Sequence, residues 1–179
     1  MLTRINTKRS ILRAQERRRS KQPYWRPTIV GVITRNESEV LFVLSKGRGT
    51  WGLVKGGIEI RDHANVCKAV FREVQEEVSL GKNDFTGHRY LGTKDDGERD
   101  RRCHQIGQKL HFVHMRVKFE ALPKANLKHH VSRYRWVTSL EEFNELPIRR
   151  HRRITWLIAM RAAGVTWTRP KECKGRHQI

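Results

Sequence analysis

The chain has 179 residues and a net charge of +20, with 38 Lys and Arg against 18 Asp and Glu. That length supports one domain with a real core and a short appendage, and a hydrophobic content of 37% with five tryptophans argues against a disordered chain. No apolar run approaches the roughly 18 residues of a membrane helix. Three widely spaced cysteines (Cys67, Cys103 and Cys173) without a CxxC argue against a disulfide framework or structural zinc, and make a reducing compartment the default. The charge calls for a polyanionic partner, either nucleic acid or a phosphate-rich small molecule.

Residues 1–22 hold eight Lys and Arg against Glu16 alone. They read as a basic arm, loosely helical or disordered when free, with a mitochondrial transit peptide as the alternative to a cytoplasmic protein. Residues 28–34 and 40–45 are β-branched runs around a polar turn, a hairpin signal. A short strand over 51–54 leads into the pair Gly56-Gly57. From 63 to 78 the apolar period turns helical, with Asp62 as expected N-cap and Cys67 as buried filler. Residues 79–108 read as a polar connection with few strand signals beyond HRYLGT.

The stretch KLHFVHMRVKFEAL alternates as a strand, with Val113, Met115, Val117 and Phe119 on one face. RYRWVT reads as another strand, and SLEEFNEL as a helix opened by a capping box from Ser139 to Glu142. A last amphipathic helix ends at Gly164, and a basic tail covers 165–179. The domain reading is therefore an arm over 1–22, one domain over 23–164 and the tail. Strands around one long helix, with a second helix at the end, give an α/β (α+β) sandwich.

Glu73, Glu76 and Glu77 share a helix face at i, i+3 and i+4. Three carboxylates in one patch repel unless a cation lies between them, and Mg²⁺ takes oxygen ligands while keeping room for substrate phosphate. Gly56-Gly57 ahead of that helix lets backbone approach a ligand or metal closely.

Together, KGGIEIRDHANVCKAVFREVQEEVSL resembles the signature of the Nudix hydrolases. Arg72, Glu73, Val74, Glu76, Glu77 and Leu80 match its second half, and Gly56 matches its opening glycine. The likeness extends over roughly residues 24–163, with flanks similar to RNA 5′-pyrophosphohydrolases and dinucleoside polyphosphate hydrolases. It implies an α/β/α sandwich with a mixed sheet, the signature helix and a C-terminal helix. It further implies a pyrophosphohydrolase using Mg²⁺ or Mn²⁺, held by Glu73, Glu76, Glu77 and the Gly56 carbonyl, with Arg72 orienting a carboxylate. Its substrate would be a nucleotide, the 5′ end of RNA or a dinucleoside polyphosphate; the alternative is a weakly active or inactive RNA-binding or ribosome-associated member.

Three departures stand out. Gly56 to Arg72 is two residues longer than the signature, so the early acid is Asp62 or Glu59. Ser79 replaces a glycine after the acidic pair. His130 stands where relatives of the RNA branch often carry Glu, which leaves a glutamate of the helix, Glu98, Glu142 and His130 as candidate general bases. Lys55 and the cluster Arg149, Arg150, Arg152 and Arg153 are the candidate phosphate contacts, joined by Arg99, Arg101, Arg102 and Lys109. Trp51, Tyr90 and Phe112 are candidates to stack a base. The arm and the last helix would grip RNA backbone.

Overall fold

A computed structural model of the chain describes residues 7–97 and 104–167. Glu98, Arg99, Arg101, Arg102, Cys103, Cys173 and the tail beyond Trp167 lie outside the described residues.

The central sheet has seven strands: β1 (Tyr24–Arg35), β2 (Glu39–Ser45), β3 (Trp51–Gly52), β4 (Val54–Gly57), β5 (Phe85–Asp96), β6 (Gln105–Val117) and β7 (Val131–Val137). Its main order is β3-β2-β1-β6-β5, with β4 paired to β1 and β7 paired to β2. The β1–β6 pair is parallel and the other pairs are antiparallel, so the sheet is mixed. Helices α1 (Thr7–Arg19) and α2 (Val66–Val78) are followed in the chain by α3 (Leu140–Glu145) and α4 (Arg150–Ala163).

Two apolar layers explain the sandwich. Odd-numbered Ile29 and Ile33 of β1 and Val113 and Met115 of β6 join Val70 and Val74 of α2. Even-numbered Val30 and Val32, with Leu110 and Phe112, join Phe143 of α3 and Trp156 of α4. Side chains alternate across a strand, so a sheet covered on both faces is apolar on both. This is why the alternation read into β6 holds for only part of it: His114, on the supposed polar face, is buried, whereas Phe119 lies past the strand, 68% exposed.

Several boundaries differ from the sequence reading. The segment taken as a loose arm is, over Thr7–Arg19, a helix docked on the sheet through Ile11, which is fully buried. The polar connection contains the 12-residue strand β5, paired along β6. Much of β5 is exposed, so no buried face imposed an apolar alternation on it. Gly56 and Gly57 lie inside β4, opposite Ile29 and Thr28, rather than in a loop. Cys67 is half-buried on α2. Trp167, in the expected tail, donates its indole N–H to the Ser38 carbonyl at 2.6 Å. No helix among the described residues is long and apolar enough to cross a membrane.

Candidate active site

Helix α2 begins later than its periodicity suggested. Asn65, not Asp62, is the N-cap: its side chain accepts from the backbone N–H of Cys67 and Lys68 at 2.9 and 3.1 Å. Asp62 instead closes a single 3-10 turn over Ile60–Asp62, followed by His63 and Ala64 with positive φ of 51° and 57°. The loop is where extra residues are absorbed, so α2 keeps its register against the sheet. Ala69, Val70, Glu73, Val74 and Val78 form its buried face. Gly31 of β1 lets α2 approach: a Cβ there would meet Val70 at 3.3 Å.

Glu73 sits on that buried face because β4 yields space. A Cβ at Gly56 would fall 1.9–2.0 Å from its carboxylate. Arg72 organises the acids. Its Nε and Nη2 donate to Asp62 Oδ1 and Oδ2 at 3.1 and 2.9 Å, and Nη2 also donates to the Gly57 carbonyl at 2.7 Å. Its Nη1 donates to Glu73 Oε1 at 2.6 Å and Glu76 Oε2 at 3.1 Å. Burial works against the charge of Arg72, but Asp62 and Glu73 outweigh it and raise the guanidinium pKa. Glu59 is the looser partner, half-exposed and 3.7 Å from Arg72. Of the two, Asp62 rather than Glu59 is the acid that meets Arg72 with both oxygens.

Glu77 is held from β4 rather than by Arg72. The Lys55 backbone N–H donates to its Oε2 at 3.3 Å. Burial, reinforced by the charge of Glu73, pushes its carboxyl up to about 8. Burial likewise raises Glu73, against the opposing pull of Arg72. Carboxyls whose pKa values burial raises are candidates for a functional site. Among the described residues no three acids or imidazoles already form a closed metal cage. Mg²⁺ does not require one, since it is commonly bound by one or two carboxylates plus waters and substrate phosphates.

The helix exit manages without glycine. Ser79 adopts the left-handed conformation at φ 59° as C-cap. The loop after β6 covers the helix end, with Lys124 and Asn126 N–H donating to the Val78 and Glu77 carbonyls at 2.8 and 3.1 Å.

A cavity of about 440 Å³ adjoins Glu77 and Lys55. Trp51, Trp156, Arg48, Arg149, His129 and His130 are among its walls. The Trp156 indole N–H is buried without a protein acceptor. Of the candidate bases, His130 lines this cavity; its neighbour His129, which the sequence reading did not name as a base, also lines it, with Nδ1 3.9 Å from Glu76 Oε2. Glu142 is placed elsewhere: it binds Thr138 and Arg135 at the start of α3, with its pKa lowered chiefly by the Thr138 N–H.

The arginine cluster also divides. Arg149 and Arg152 line the cavity, and Arg152 Nε lies 2.6 Å from Asp96 on β5. Arg150 is exposed on the first turn of α4. Arg153 donates to the Phe143, Asn144 and Leu146 carbonyls, capping the end of α3, and so serves structure rather than phosphate. Phe112 is wholly buried, and Tyr90 stacks beside His111, leaving Trp51 as the aromatic candidate at the cavity. Arg48, Arg61 and Trp156 were not singled out from sequence. Arg61 pairs with Glu59 at 2.7 Å and Glu76 at 3.0 Å, and only its place in the stretched signature loop hinted at this.

A three-layer sandwich with a glycine-backed glutamate helix is the architecture of an enzyme acting on phosphate anhydrides. A sequence model of the NUDIX domain matches residues 25–157, and the chain belongs to the Nudix family, hydrolases of phosphorus-containing acid anhydrides. No curated protein matches it. Among solved structures, it is similar to the NUDIX domain of Shewanella oneidensis NrtR in complex with ADP ribose: 18% identity, TM-score 0.62, covering 79% of this chain and 90% of that one. The E. coli dihydroneopterin triphosphate pyrophosphohydrolase aligns at 15% identity and TM-score 0.58, covering 78% and 94%. A bifunctional NMN adenylyltransferase/ADP ribose pyrophosphatase from Francisella tularensis, complexed with AMP and a Mn ion, aligns at 16% and TM-score 0.56, covering 87% of this chain and 47% of that one. At these identities the likeness is one of fold.

Proposed function

We propose that the protein is a divalent-metal-dependent pyrophosphohydrolase that cleaves a nucleoside diphosphate linkage, with the 5′ end of RNA as preferred substrate and a dinucleoside polyphosphate next. One observation carries this reading: a single cavity joins Glu77 and Lys55 at the acid cluster to Trp51 and the unpartnered Trp156 indole N–H. Acid and cation at one end suit a metal-bound diphosphate. An aromatic wall with a donor that lacks an acceptor suits a base. Nucleotides in the named complexes of the similar structures, ADP ribose and AMP, support the same class.

Mg²⁺ or Mn²⁺ would be held by Glu73, Glu76 and Glu77 beside the Gly56 carbonyl, supplying charge neutralisation for the phosphates and a water of lowered pKa. The protein's own residues do the rest. Arg72 fixes Glu73 and Glu76 through charge-assisted bonds, themselves anchored by Asp62 and the Gly57 carbonyl. Lys55, Arg48 and Arg149 bring positive charge to the cavity where anionic oxygens lie. His129 and His130, at its rim, are positioned to take a proton from an attacking water. The departures that suggested an inactive member are absorbed locally, by the 63–64 loop and by Ser79.

The test is a phosphate-release screen with Mg²⁺ and Mn²⁺ over triphosphorylated RNA, dinucleoside polyphosphates and nucleotide sugars. Metal-dependent release from at least one nucleotide diphosphate supports the reading. No release from any substrate would favour a binding protein instead.

A further inference from the structure

On the α1/α2 side of the sheet, away from the catalytic cavity, two further cavities adjoin. One, about 420 Å³, is lined by Arg9, Arg13 and Arg17 of α1 together with Trp25, Lys109 and His111. The other, about 620 Å³, is lined by Arg18, Arg19, Arg26 and Arg61 and reaches Gly57 and Glu59 of the signature loop. They share Ala14, Tyr24 and Pro27 as common wall, so they form one trough along the flank of α1. Its far end lies at His111. Its near end is the loop whose Gly57 carbonyl and Arg61 touch Arg72 and Glu76.

Three features of this trough point to a ligand. First, Arg9, Arg13 and Arg17 recur every four residues, about 6 Å apart along the helix, and no ion pair joins any of them to another described residue. A solvated helix of ordinary composition would interleave acids at i+4, and Glu16 is the one acid on α1. Second, His111 is buried, 1% exposed, with Nδ1 3.2 Å from the Tyr90 hydroxyl and Nε2 without any partner. A buried ring nitrogen left unsatisfied at the wall of a basic cavity is a polar group without a protein partner, open to a ligand. Third, the half-buried Trp25 ring lines the same cavity and offers a face for stacking.

Evenly spaced guanidinium groups, a buried ring nitrogen without a protein partner and an aromatic face together match a repeating phosphate backbone with stackable bases. The geometry points to this trough as a second binding site, for a single-stranded polynucleotide chain, separate from the cavity that takes the reacting nucleotide. It extends beyond the hydrolytic reading because the grip requires no scissile diphosphate. The length of α1, roughly 20 Å for thirteen residues, suits a run of several phosphates and exceeds what a lone nucleotide would use.

The probe is a fluorescently labelled single-stranded RNA 10-mer with a 5′-hydroxyl, which carries no diphosphate linkage to hydrolyse. Binding is measured by anisotropy over a series of salt concentrations for the full chain. The R9Q/R13Q/R17Q variant is expected to bind at least about 10-fold more weakly and to flatten the log–log salt slope by about 2, from roughly 0.7 per contacted cation. A control variant, Lys82→Gln, Lys118→Gln and Arg161→Gln, removes the same charge from exposed positions outside the trough and is expected to keep the slope. Hydrolysis of a dinucleoside polyphosphate should be unchanged in both. Equal effects of the two variants on RNA binding, or none in either, would overturn the trough as a site. A wild type that binds the 10-mer with the expected slope but hydrolyses nothing would overturn the catalytic reading and leave the trough standing.

Discussion

Arg72 and Asp62 meet as a two-pronged ion pair, Nε to Oδ1 at 3.1 Å and Nη2 to Oδ2 at 2.9 Å, on the floor of the acid cluster. Asp62 is almost wholly buried, 3% exposed, and also accepts from the Glu59 backbone N–H at 2.8 Å. Asp62→Asn should therefore loosen the guanidinium that holds Glu73 and Glu76, costing about 1–3 kcal/mol and reducing turnover at least about 10-fold. Glu59→Gln, at a half-exposed position, should leave stability within about 0.5 kcal/mol of wild type. Urea melts and steady-state rates of both variants decide it. The reverse order of effects would make Glu59 the early acid.

The carboxylates themselves are the second test. Glu76→Gln or Glu77→Gln should lower metal-dependent turnover at least about 100-fold, each removing a charged ligand. Folding should survive, because mutual repulsion is relieved. For Glu77 the relief has a pH signature. With a folded pKa near 8, above its ordinary value, the metal-free folded state binds the proton more tightly than the unfolded chain. Its contribution to stability thus falls as pH rises from about 4.5 to about 8. The Tm advantage of Glu77→Gln over wild type in chelator should grow from pH 5 to pH 8; a constant difference would refute the buried, proton-holding carboxylate.

Ser79 gives a stability prediction with little functional consequence. A side chain in the left-handed region costs about 1–2 kcal/mol, of which the flexibility of an unfolded glycine returns part. Ser79→Gly should stabilise by about 0.5–1 kcal/mol, raising Tm by about 1–4 °C for a chain of this size, without altering the rate. A lower Tm would show that the Ser79 side chain contributes more than its backbone strain costs.

His114 predicts the acid limb of stability. Burial, then the nearby Arg89 and Arg116, hold its pKa down near 4, and its Nε2 lies 2.8 Å from Thr34 Oγ1. The unfolded chain takes up a proton near pH 6.5, which the folded state refuses until about 4. Stability from this group is therefore present above about 6.5 and is lost as pH falls towards 4. His114→Gln should melt lower than wild type at pH 7.5, with the gap narrowing towards pH 4.5. Thermal melts across that range check it, and a pH-independent gap would mean that folding leaves the His114 pKa at its unfolded value.

Docking of α1 changes how the basic segment must be tested. Ile11 is fully buried in the α2-side core, and Gln15 Nε2 donates to the Ile58 carbonyl at 3.3 Å, next to the signature glycines. Ile11→Ala should cost about 2–4 kcal/mol, and deleting residues 1–22 should destabilise the domain and disturb the catalytic loop. Charge in this segment is separable from fold only by exchanging exposed arginines one for one. A truncated chain with wild-type Tm and wild-type rate would show that α1 is dispensable.

What the sequence determined by itself was local. A helix of period 3.6 places Glu73, Glu76 and Glu77 on one face wherever it packs, and Gly56 ahead of it was legible as a close backbone approach. Hairpin β1–β2, the Ser139 cap and the Gly164 stop were readable for the same reason: their geometry depends on neighbours in the chain. Tertiary structure decided the rest. Asp62 rather than Glu59 forms the two-pronged pair with Arg72, in a loop turned by two consecutive left-handed residues that no propensity announces. Arg149 and Arg152 reach the cavity while Arg153 caps α3, because their facing depends on where α4 lies on the sheet. β5 was legible only at HRYLGT, because its mostly exposed side chains carry no alternation, and its full length rests on hydrogen bonds to β6. A single buried side chain, Ile11, separates a docked α1 from a free basic arm, too small a signal for composition to reveal against eight surrounding charges.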